Sequence, residues 1–269
     1  MTEQENSVHT SHPEPGITVI TIDRKHRRNA VDAATARKLY DAVIAFEEDA
    51  DQKIAVLHGD NGTFCAGFDL HTVGKDDRDR HYDGSSVHRT IGPMGPSRLQ
   101  VKKPLLSAVS GYAVAGGLEL SLLGDMRIVE EDAVFGVFCR RWGVPLIDGG
   151  TVRLQAVVGL GRALDMILTG RAVGSQEALA MGLANRVVPK GRALEEAVAI
   201  ARQLRDFPQL CMNLDRSSCY YARYDASSFE DAMRFEFEHG IEAVQREGEA
   251  GAKRFSRGSG RHGAFTEKL

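Results

Sequence analysis

The chain has 269 residues, of which 42% are hydrophobic and 26% are charged, and its formal net charge is -3. This composition is typical of a folded globular protein and excludes a chain that is disordered throughout. The charge excludes the basic surplus of most nucleic-acid-binding proteins. No apolar run reaches the roughly 18 residues that span a bilayer, and the polar start lacks the features of a secretory signal. We therefore expect a cytoplasmic protein with no nucleic-acid partner and no membrane span.

The four cysteines do not form the pattern of a metal site. Cys65, Cys139, Cys211 and Cys219 make no CxxC pair, and no histidine cluster stands near them. Zinc sites normally show such pairs, so the sequence predicts no metal. Free thiols are the expected state in a reducing compartment.

Strand and helix signals alternate through the first part of the chain. Ile17-Thr-Val-Ile-Thr-Ile22 is a β-branched run typical of a strand. Asp32 is placed to cap a helix that has Leu39, Val43 and Phe46 on one face. Short apolar runs predict further strands at 54–57, 105–109, 126–129 and 133–137.

The last part of the chain shows helix signals only. Helices are predicted at 193–205, 209–223 and 229–246, with no strand signal beyond Arg192. Strands that alternate with helices, followed by helices alone, indicate an α/β core with a helical appendage. We expect the core over 1–192, with a disordered tail at 1–12, and the helical region over 193–269.

A loop of small residues follows the second predicted strand. In Phe64-Cys-Ala-Gly-Phe-Asp-Leu70, the small residues at 65–67 let the backbone approach a ligand closely. Such a loop can aim free N–H groups outward. An ordinary strand-to-helix connection is the alternative interpretation.

A pair of glycines, Gly116 and Gly117, opens a predicted helix. The N–H groups of a first helical turn have no intrahelical partner and favour an anion or a developing oxyanion. Glu119 lies one turn after the start of this helix, among leucines. A carboxylate in such apolar surroundings is costly unless it has a partner or faces a cavity. Helix capping is the alternative role for Glu119. Together the two motifs suggest N–H groups that converge on one oxygen.

Through these motifs the chain resembles the enoyl-CoA hydratase/isomerase family, also called the crotonase superfamily. The resemblance covers nearly the whole chain. It implies a crotonase-like spiral of ββα turns with an α-helical C-terminal trimerisation region, assembled as a homotrimer or a dimer of trimers. The matching motifs are Arg28-Asn-Ala-Val31, Phe64-Cys-Ala-Gly-Phe-Asp-Leu70, Gly116-Gly-Leu-Glu-Leu120, and Phe135-Gly136 with Gly149-Gly-Thr-Val-Arg-Leu154.

The resemblance also implies a coenzyme A thioester as substrate, with no cofactor apart from the CoA of that substrate. The oxyanion-hole donors are expected to be the backbone N–H groups of Phe68 and Gly116. Ala66 is expected on the loop near the adenine end of CoA, and its neighbours Gly67 and Asp69 are expected to bind substrate with it.

Two basic residues near the first motif are candidates for contact with CoA phosphate. Lys25 and Arg28 follow the first core strand, where the family has a basic turn. Solvated turn charges are the alternative interpretation of both residues.

The acid/base residues depart from the pattern of hydratases that use two glutamates. Glu119 matches the first glutamate, but an ungapped count places the second on Cys139, whose thiol is a poor substitute for a carboxylate. Asp148 precedes Gly149, where dienoyl-CoA isomerases and 4-chlorobenzoyl-CoA dehalogenases carry a functional Asp. A turn or helix cap is the alternative for Asp148. We expect Glu119 as the principal acid/base, Asp148 assisting, and Cys139 lining the pocket.

The sequence therefore predicts an acyl-CoA-thioester enzyme of the hydratase/isomerase type, in which a backbone oxyanion hole stabilises a thioester enolate. Hydration is the leading prediction, and isomerisation by Glu119 and Asp148 is an alternative. A non-catalytic acyl-CoA-binding protein is a second alternative, supported by Cys139. A hydrolase or dehalogenase with Asp148 as nucleophile is a third. The charged stretch 74–96 is expected to shape the acyl pocket.

Overall fold

The computed structural model of the protein describes residues 7–72 and 89–258. The strands within these ranges are β1 (Val8–Glu14), β2 (Ile17–Ile22), β3 (Ile54–Gly59), β4 (Leu105–Val109), β5 (Tyr112–Val114), β6 (Met126–Glu130), β7 (Val134–Gly136), β8 (Ala172–Gly174) and β9 (Arg186–Val188). The α-helices are α1 (Ala33–Glu48), α2 (Gly116–Ser121), α3 (Gly150–Val158), α4 (Leu160–Thr169), α5 (Ser175–Ala180), α6 (Ala193–Arg205), α7 (Gln209–Tyr224), α8 (Phe229–Ala243) and α9 (Glu249–Ser256).

The larger sheet has the order β1-β2-β3-β4-β6-β9. β1 is antiparallel to β2, and each of the other pairs is parallel. All six residues of β2 are buried, as is typical of a parallel strand covered on both faces. A smaller sheet has the order β5-β7-β8. The predicted α/β architecture is therefore confirmed.

The prediction of a disordered tail at 1–12 needs correction for Val8–His12, which belong to β1. The strand lies at the edge of the larger sheet, and five of its seven residues are exposed. An edge strand has one partner and a solvated face, so polar residues are tolerated there and the apolar alternation that marks a strand is weak. Residues 1–6 lie outside the described part of the chain.

The helix α1 has the predicted cap and the predicted buried face. The Asp32 carboxylate accepts a hydrogen bond of 2.9 Å from the Thr35 N–H, which satisfies one donor of the first turn. Leu39, Val43 and Phe46 are all buried. These contacts confirm the amphipathic pattern read from the sequence.

Arg24 ties the turn before α1 to the loop at 63–70. Its guanidinium forms ion pairs with Asp32 at 2.7 Å and with Asp69 at 3.3 Å, and it also donates to the carbonyl of Ala30. All three charged side chains are buried. The network fixes the position of the loop on which the first glycine motif lies.

The chain divides into two compact units, one that ends at Arg202 and one that begins at Gln203. The sequence predicted the boundary ten residues earlier, at 192/193, whereas the division falls within α6. In the second unit α7 packs on α8, and the Glu247 carboxylate accepts hydrogen bonds from the N–H groups of Leu210 and Cys211. Among the described helices, none is both long and apolar enough to cross a membrane.

Candidate functional site

A cavity of about 480 Å³ lies where the two glycine motifs meet. Its described wall is mostly apolar and includes three aromatic side chains, and the ionisable groups on it are Glu119, Cys139 and Asp148. Such a wall suits an uncharged acyl group next to a small number of reacting polar groups. The main apolar contributors are Phe68, Leu70, Met94, Phe138, Trp142 and Ile147.

The loop at 63–70 presents one free N–H group to this cavity. Val31 donates to the carbonyl of Gly67 at 2.8 Å, and Asp69 donates to the carbonyl of Val31 at 2.9 Å. Because successive N–H groups of an extended segment point to opposite sides, the N–H of Phe68 points away from Val31. It donates no hydrogen bond to a described residue, and Phe68 lines the cavity.

The N-terminus of α2 presents a second free N–H group. Ala115 has φ of +52°, an unfavourable conformation for a non-glycine residue, and its own N–H is held by the carbonyl of Gly136 at 2.8 Å. Gly116 follows as the first helical residue. Its N–H has no partner within α2 and none elsewhere in the described chain, and Gly116 lines the cavity.

Gly67 brings the two motifs into contact. It has φ of +100°, and a Cβ built on it would lie 3.0 Å from the backbone nitrogen of Gly116. Ala66 also lines the cavity, and its N–H is held by the carbonyl of Arg28 at 3.1 Å. The predicted donors at Phe68 and Gly116 are therefore brought to one cavity wall, as the two motifs suggested.

Glu119 is buried on the same wall and is 3% exposed. Its Oε1 accepts hydrogen bonds from the N–H of Asp148 at 2.9 Å and from the N–H of Gly150 at 2.8 Å. Burial, followed by the negative charge of Asp148, raises the pKa of Glu119 to about 8 against the opposing effect of these hydrogen bonds. The Oε2 atom accepts no hydrogen bond from a described residue. Glu119 thus holds a proton at neutral pH and has one oxygen free for the cavity.

Asp148 is equally buried but has different partners. Its Oδ1 accepts hydrogen bonds from the Met94 N–H at 3.0 Å and from the Ser97 hydroxyl. Burial raises the pKa of Asp148, and these two donors oppose that effect. Two carboxyl groups with different surroundings therefore share one cavity, an arrangement that separates acid and base roles.

Ser97 is a site residue that the sequence reasoning missed, and Met94 was not singled out within the stretch 74–96 that was expected to shape the acyl pocket. They lie 51 and 54 residues before Asp148 along the chain. The stretch that contains Met94 shows no helical or strand periodicity, so no local signal pointed to it. Of the stretch 74–96, residues 74–88 lie outside the described part of the chain, while Pro93 and Met94 line the cavity.

Cys139 lies in a short 3₁₀ turn, Phe138–Trp142, and lines the cavity. Burial raises the pKa of its thiol, and the negative charge of Glu119 raises it further. Since the thiolate is the nucleophilic form, a raised pKa keeps this sulfur unreactive at neutral pH. The position is consistent with the predicted pocket-lining residue.

Four of the predicted substrate-binding residues are not on the described cavity wall, namely Gly67, Asp69, Lys25 and Arg28. Asp69 is buried in the ion pair with Arg24, and it accepts a hydrogen bond from the His71 N–H at 3.1 Å, so it holds the loop in shape. Lys25 and Arg28 are exposed in the 3₁₀ turn and at its end. The Arg28 carbonyl supports the loop through Ala66.

Chemically, the cavity combines two free N–H donors with two carboxyl groups. Paired N–H donors stabilise negative charge that develops on a carbonyl oxygen, and carboxyl groups move protons beside it. The arrangement is suited to reactions that pass through an enolate.

Comparison with known proteins agrees with this chemistry. The sequence model for "Enoyl-CoA hydratase/isomerase" matches residues 12–236. The enoyl-CoA hydratase EchA19 of Mycobacterium tuberculosis is 36% identical over 191 residues, which are 68% of this chain and 69% of that protein. The carnitinyl-CoA dehydratase of Salmonella typhi is 32% identical over 203 residues, 74% of each chain. A crystal structure of an enoyl-CoA hydratase from Mycobacterium tuberculosis H37Rv superposes with a TM-score of 0.84 at 28% identity, covering 93% of this chain and 96% of that one.

Proposed function

The chain belongs to the enoyl-CoA hydratase/isomerase family of acyl-CoA thioester enzymes, and from this premise we propose that it hydrates a 2-enoyl-CoA. One observation supports the proposal most directly. The cavity wall carries the free backbone N–H groups of Phe68 and Gly116, and the buried carboxyl groups of Glu119 and Asp148 lie on the same wall. No cofactor enters the reaction, because CoA is part of the substrate.

The thioester carbonyl oxygen binds between the N–H groups of Phe68 and Gly116. Addition to the double bond turns this oxygen into an enolate, and donors that are already in place stabilise that charge more in the transition state than in the ground state. The N–H groups belong to the backbone, so the loop and the helix must hold them in position. The strained conformation of Ala115 and the close approach of Gly67 serve that purpose.

The two carboxyl groups divide the proton transfers. Asp148, as carboxylate, takes a proton from water while the water oxygen bonds to the β-carbon. Glu119, which holds a proton at neutral pH, gives it to the α-carbon of the enolate. One water has then been added across the double bond. Transfer of the proton from Asp148 to Glu119 restores the starting state.

The remaining predicted residues take supporting roles in this proposal. Ala66 and Gly67 form the loop along which the CoA moiety passes, and Cys139 packs against the acyl group. Lys25 and Arg28 are proposed to meet CoA phosphate, since both are exposed and Arg28 adjoins Ala66 through a backbone hydrogen bond. Asp69 is assigned to the support of the loop rather than to substrate contact.

Isomerisation of a 3-enoyl-CoA is a second candidate, favoured by the thiol at Cys139. An isomerase moves a proton between two carbons of the substrate and needs no second glutamate to hold water. The same oxyanion hole and the same pair of carboxyl groups, Glu119 and Asp148, serve this reaction, one taking the proton from the substrate and the other giving a proton to it. The two candidates differ in whether water enters the product.

We also propose a homotrimer or a dimer of trimers in the cytoplasm. On α8, Phe229, Met233 and Phe237 are 74%, 46% and 69% exposed and recur every four residues, so they form one apolar stripe. Contact with another copy would remove this stripe from water.

The test is an assay of the wild-type protein on CoA thioesters of graded acyl length. Hydration predicts loss of the enoyl-thioester absorbance with 2-enoyl-CoA substrates and incorporation of ¹⁸O from labelled water into the product. If 3-enoyl-CoA substrates gain that absorbance without label, the protein is an isomerase. Calorimetric binding of acyl-CoA with neither reaction would contradict both assignments and indicate a binding protein.

A further inference from the structure

A short turn supports Asp148 from outside the two glycine motifs. Gly92 and Gly95 exchange two backbone hydrogen bonds of 2.8 Å, which close the turn that presents the N–H of Met94. The backbone then enters a 3₁₀ turn, Pro96–Arg98, in which Ser97 is fully buried. The packing is tight, since a Cβ on Gly92 would lie 2.6 Å from Asp148 Oδ1.

We propose that Ser97 is a positioning residue that holds the Asp148 carboxylate with Oδ2 turned to the substrate cavity. This inference rests on the proposed function, in which Asp148 takes the proton from water. Both donors, the Ser97 hydroxyl and the Met94 N–H, bind the same oxygen, Oδ1. Oδ2 accepts no hydrogen bond from a described residue, so it is the oxygen left for water.

The Ser97 segment is itself held by the helix that follows Asp148. Arg153 of α3 donates from its guanidinium to the carbonyl of Ser97 and, at 2.8 Å, to the carbonyl of Leu99. Because Asp148 lies two residues before α3, both partners of the contact between Ser97 and Asp148 are fixed to one helix. The hydroxyl therefore stays within hydrogen-bonding distance of the carboxylate.

The surroundings of Asp148 have opposing effects on its pKa. Burial raises its pKa, while Ser97, Met94 and the positive charges of Arg98 and Arg153 oppose the rise. Burial, followed by the negative charge of Asp148, raises the pKa of the neighbouring Glu119 carboxyl group, which shares the cavity. A hydrogen bond from the Ser97 hydroxyl is stronger to the ionised form of Asp148 than to the protonated form, because protonation removes the negative charge that strengthens it.

The test is the titration of Asp148 in Ser97→Ala, followed by ¹³C NMR of the side-chain carboxyl carbon and assigned by its loss in Asp148→Asn. The expected result is a higher pKa of Asp148 in Ser97→Ala than in the wild type. Ser107→Ala is the matched control, because Ser107 is also fully buried and hydrogen-bonded, at 3.0 Å to the Ser121 carbonyl, but lies on β4. The control should leave the pKa of Asp148 unchanged.

Turnover gives a second measurement. Ser97→Ala should lower kcat roughly tenfold to a hundredfold through misplacement of the carboxylate. KM should stay near its wild-type value, and the acidic limb of the pH profile should move to higher pH. In the Asp148→Asn background the same substitution should have almost no further effect on kcat.

An unchanged pKa of Asp148 in Ser97→Ala, or an equal loss of kcat in the two backgrounds, would overturn the inference. The NMR titration does not need turnover, so it still decides the role of Ser97 if no enoyl-CoA is hydrated and the proposed function fails. If Ser97→Ala does not fold, Ser97→Cys is used, because a thiol is a weaker donor and should raise the pKa of Asp148 in the same direction.

Discussion

At the scale of single residues, the surroundings of Glu119 make stability depend on pH. Its pKa is raised from 4.5 to about 8 in the folded protein, so the folded state binds this proton more tightly than the unfolded state does. The stability that the proton contributes is fully present below pH 4.5 and is lost as pH rises through about 8.

The prediction is that Glu119→Gln gains stability relative to the wild type as pH rises from 5 to 9. The expected gain is on the order of a few kcal/mol in the free energy of unfolding, because a neutral amide avoids the cost of a buried charge. Urea unfolding of both proteins at each pH measures the difference. A difference that is constant across this range would show that Glu119 titrates as it does in the unfolded chain.

Cys139 is predicted to be a wall residue and not a reacting group. Cys139→Ser should keep kcat on an enoyl-CoA within about fivefold of the wild type, since a serine lacks the nucleophilic thiolate but fills nearly the same volume. Steady-state kinetics measures this, with Glu119→Gln as the inactive reference. A loss of more than a hundredfold would assign chemistry to the thiol.

The sequence predicted the residues whose role is encoded in contiguous motifs, and missed those brought in by tertiary contact. Glu119 and Gly116 share one helix and were visible as a pattern. Ser97 reaches Asp148 across 51 residues, a contact that no local pattern encodes. Asp69 stands inside a motif yet serves the ion pair with Arg24, because a motif match does not say which way a side chain points.

At the scale of elements, the loop at 63–70 packs against the start of α2, and this contact leaves different amounts of room for a side chain at Gly116 and at Gly117. A Cβ on Gly117 would lie 2.0 Å from the carbonyl oxygen of Cys65, a backbone atom that cannot move without the loop. A Cβ on Gly116 would lie 2.6 Å from the Sδ atom of Met94, in a flexible side chain.

The prediction is that Gly117→Ala lowers the free energy of unfolding by about 2 kcal/mol or more, as overpacked sites do. Gly116→Ala should lower it less but still reduce kcat at least tenfold, because displaced Met94 would disturb both the proposed oxyanion hole and Asp148. Thermal unfolding and kinetics on the same two samples measure these effects. Equal losses of stability in the two variants would contradict the packing difference.

Elements with strong local signals were predicted well, and elements that depend on their neighbours were not. β2 is a β-branched run, and α1 has its cap at Asp32, so both follow from local propensity and patterning. β1, in contrast, is a strand because it pairs with the edge of β2. The predicted helix 229–246 ends at Ala243 and continues as a π-helical turn at Val244–Gly248, which no residue type signals.

At the scale of the whole molecule, family and fold were predictable because four motifs stand in the right order along the chain. The two compact units divide after Arg202, within α6, and the end of the core was predicted at residue 192, where the strand signals stop. The loss of strand signals marks where the secondary structure changes, but α6 continues the first unit for ten residues more.

The apolar stripe of Phe229, Met233 and Phe237 leads to a prediction about assembly. Light scattering after gel filtration should give three or six times the 29.4 kDa mass of one chain. Substitution of the three residues by Asp or Asn should lower this mass, since the exposed apolar area that drives association is removed. A single-chain mass for the wild type would contradict the proposed trimer.

We propose that Glu119 moves a proton beside a thioester held by two backbone N–H groups. The most direct test of this role is kcat of Glu119→Gln on the best 2-enoyl-CoA, with calorimetric binding measured in parallel. The amide keeps the shape of the side chain, so binding should stay near the wild-type level while kcat falls by about 10²–10⁴-fold. Asp148→Asn should give a loss of the same kind. Wild-type turnover in Glu119→Gln would contradict the account.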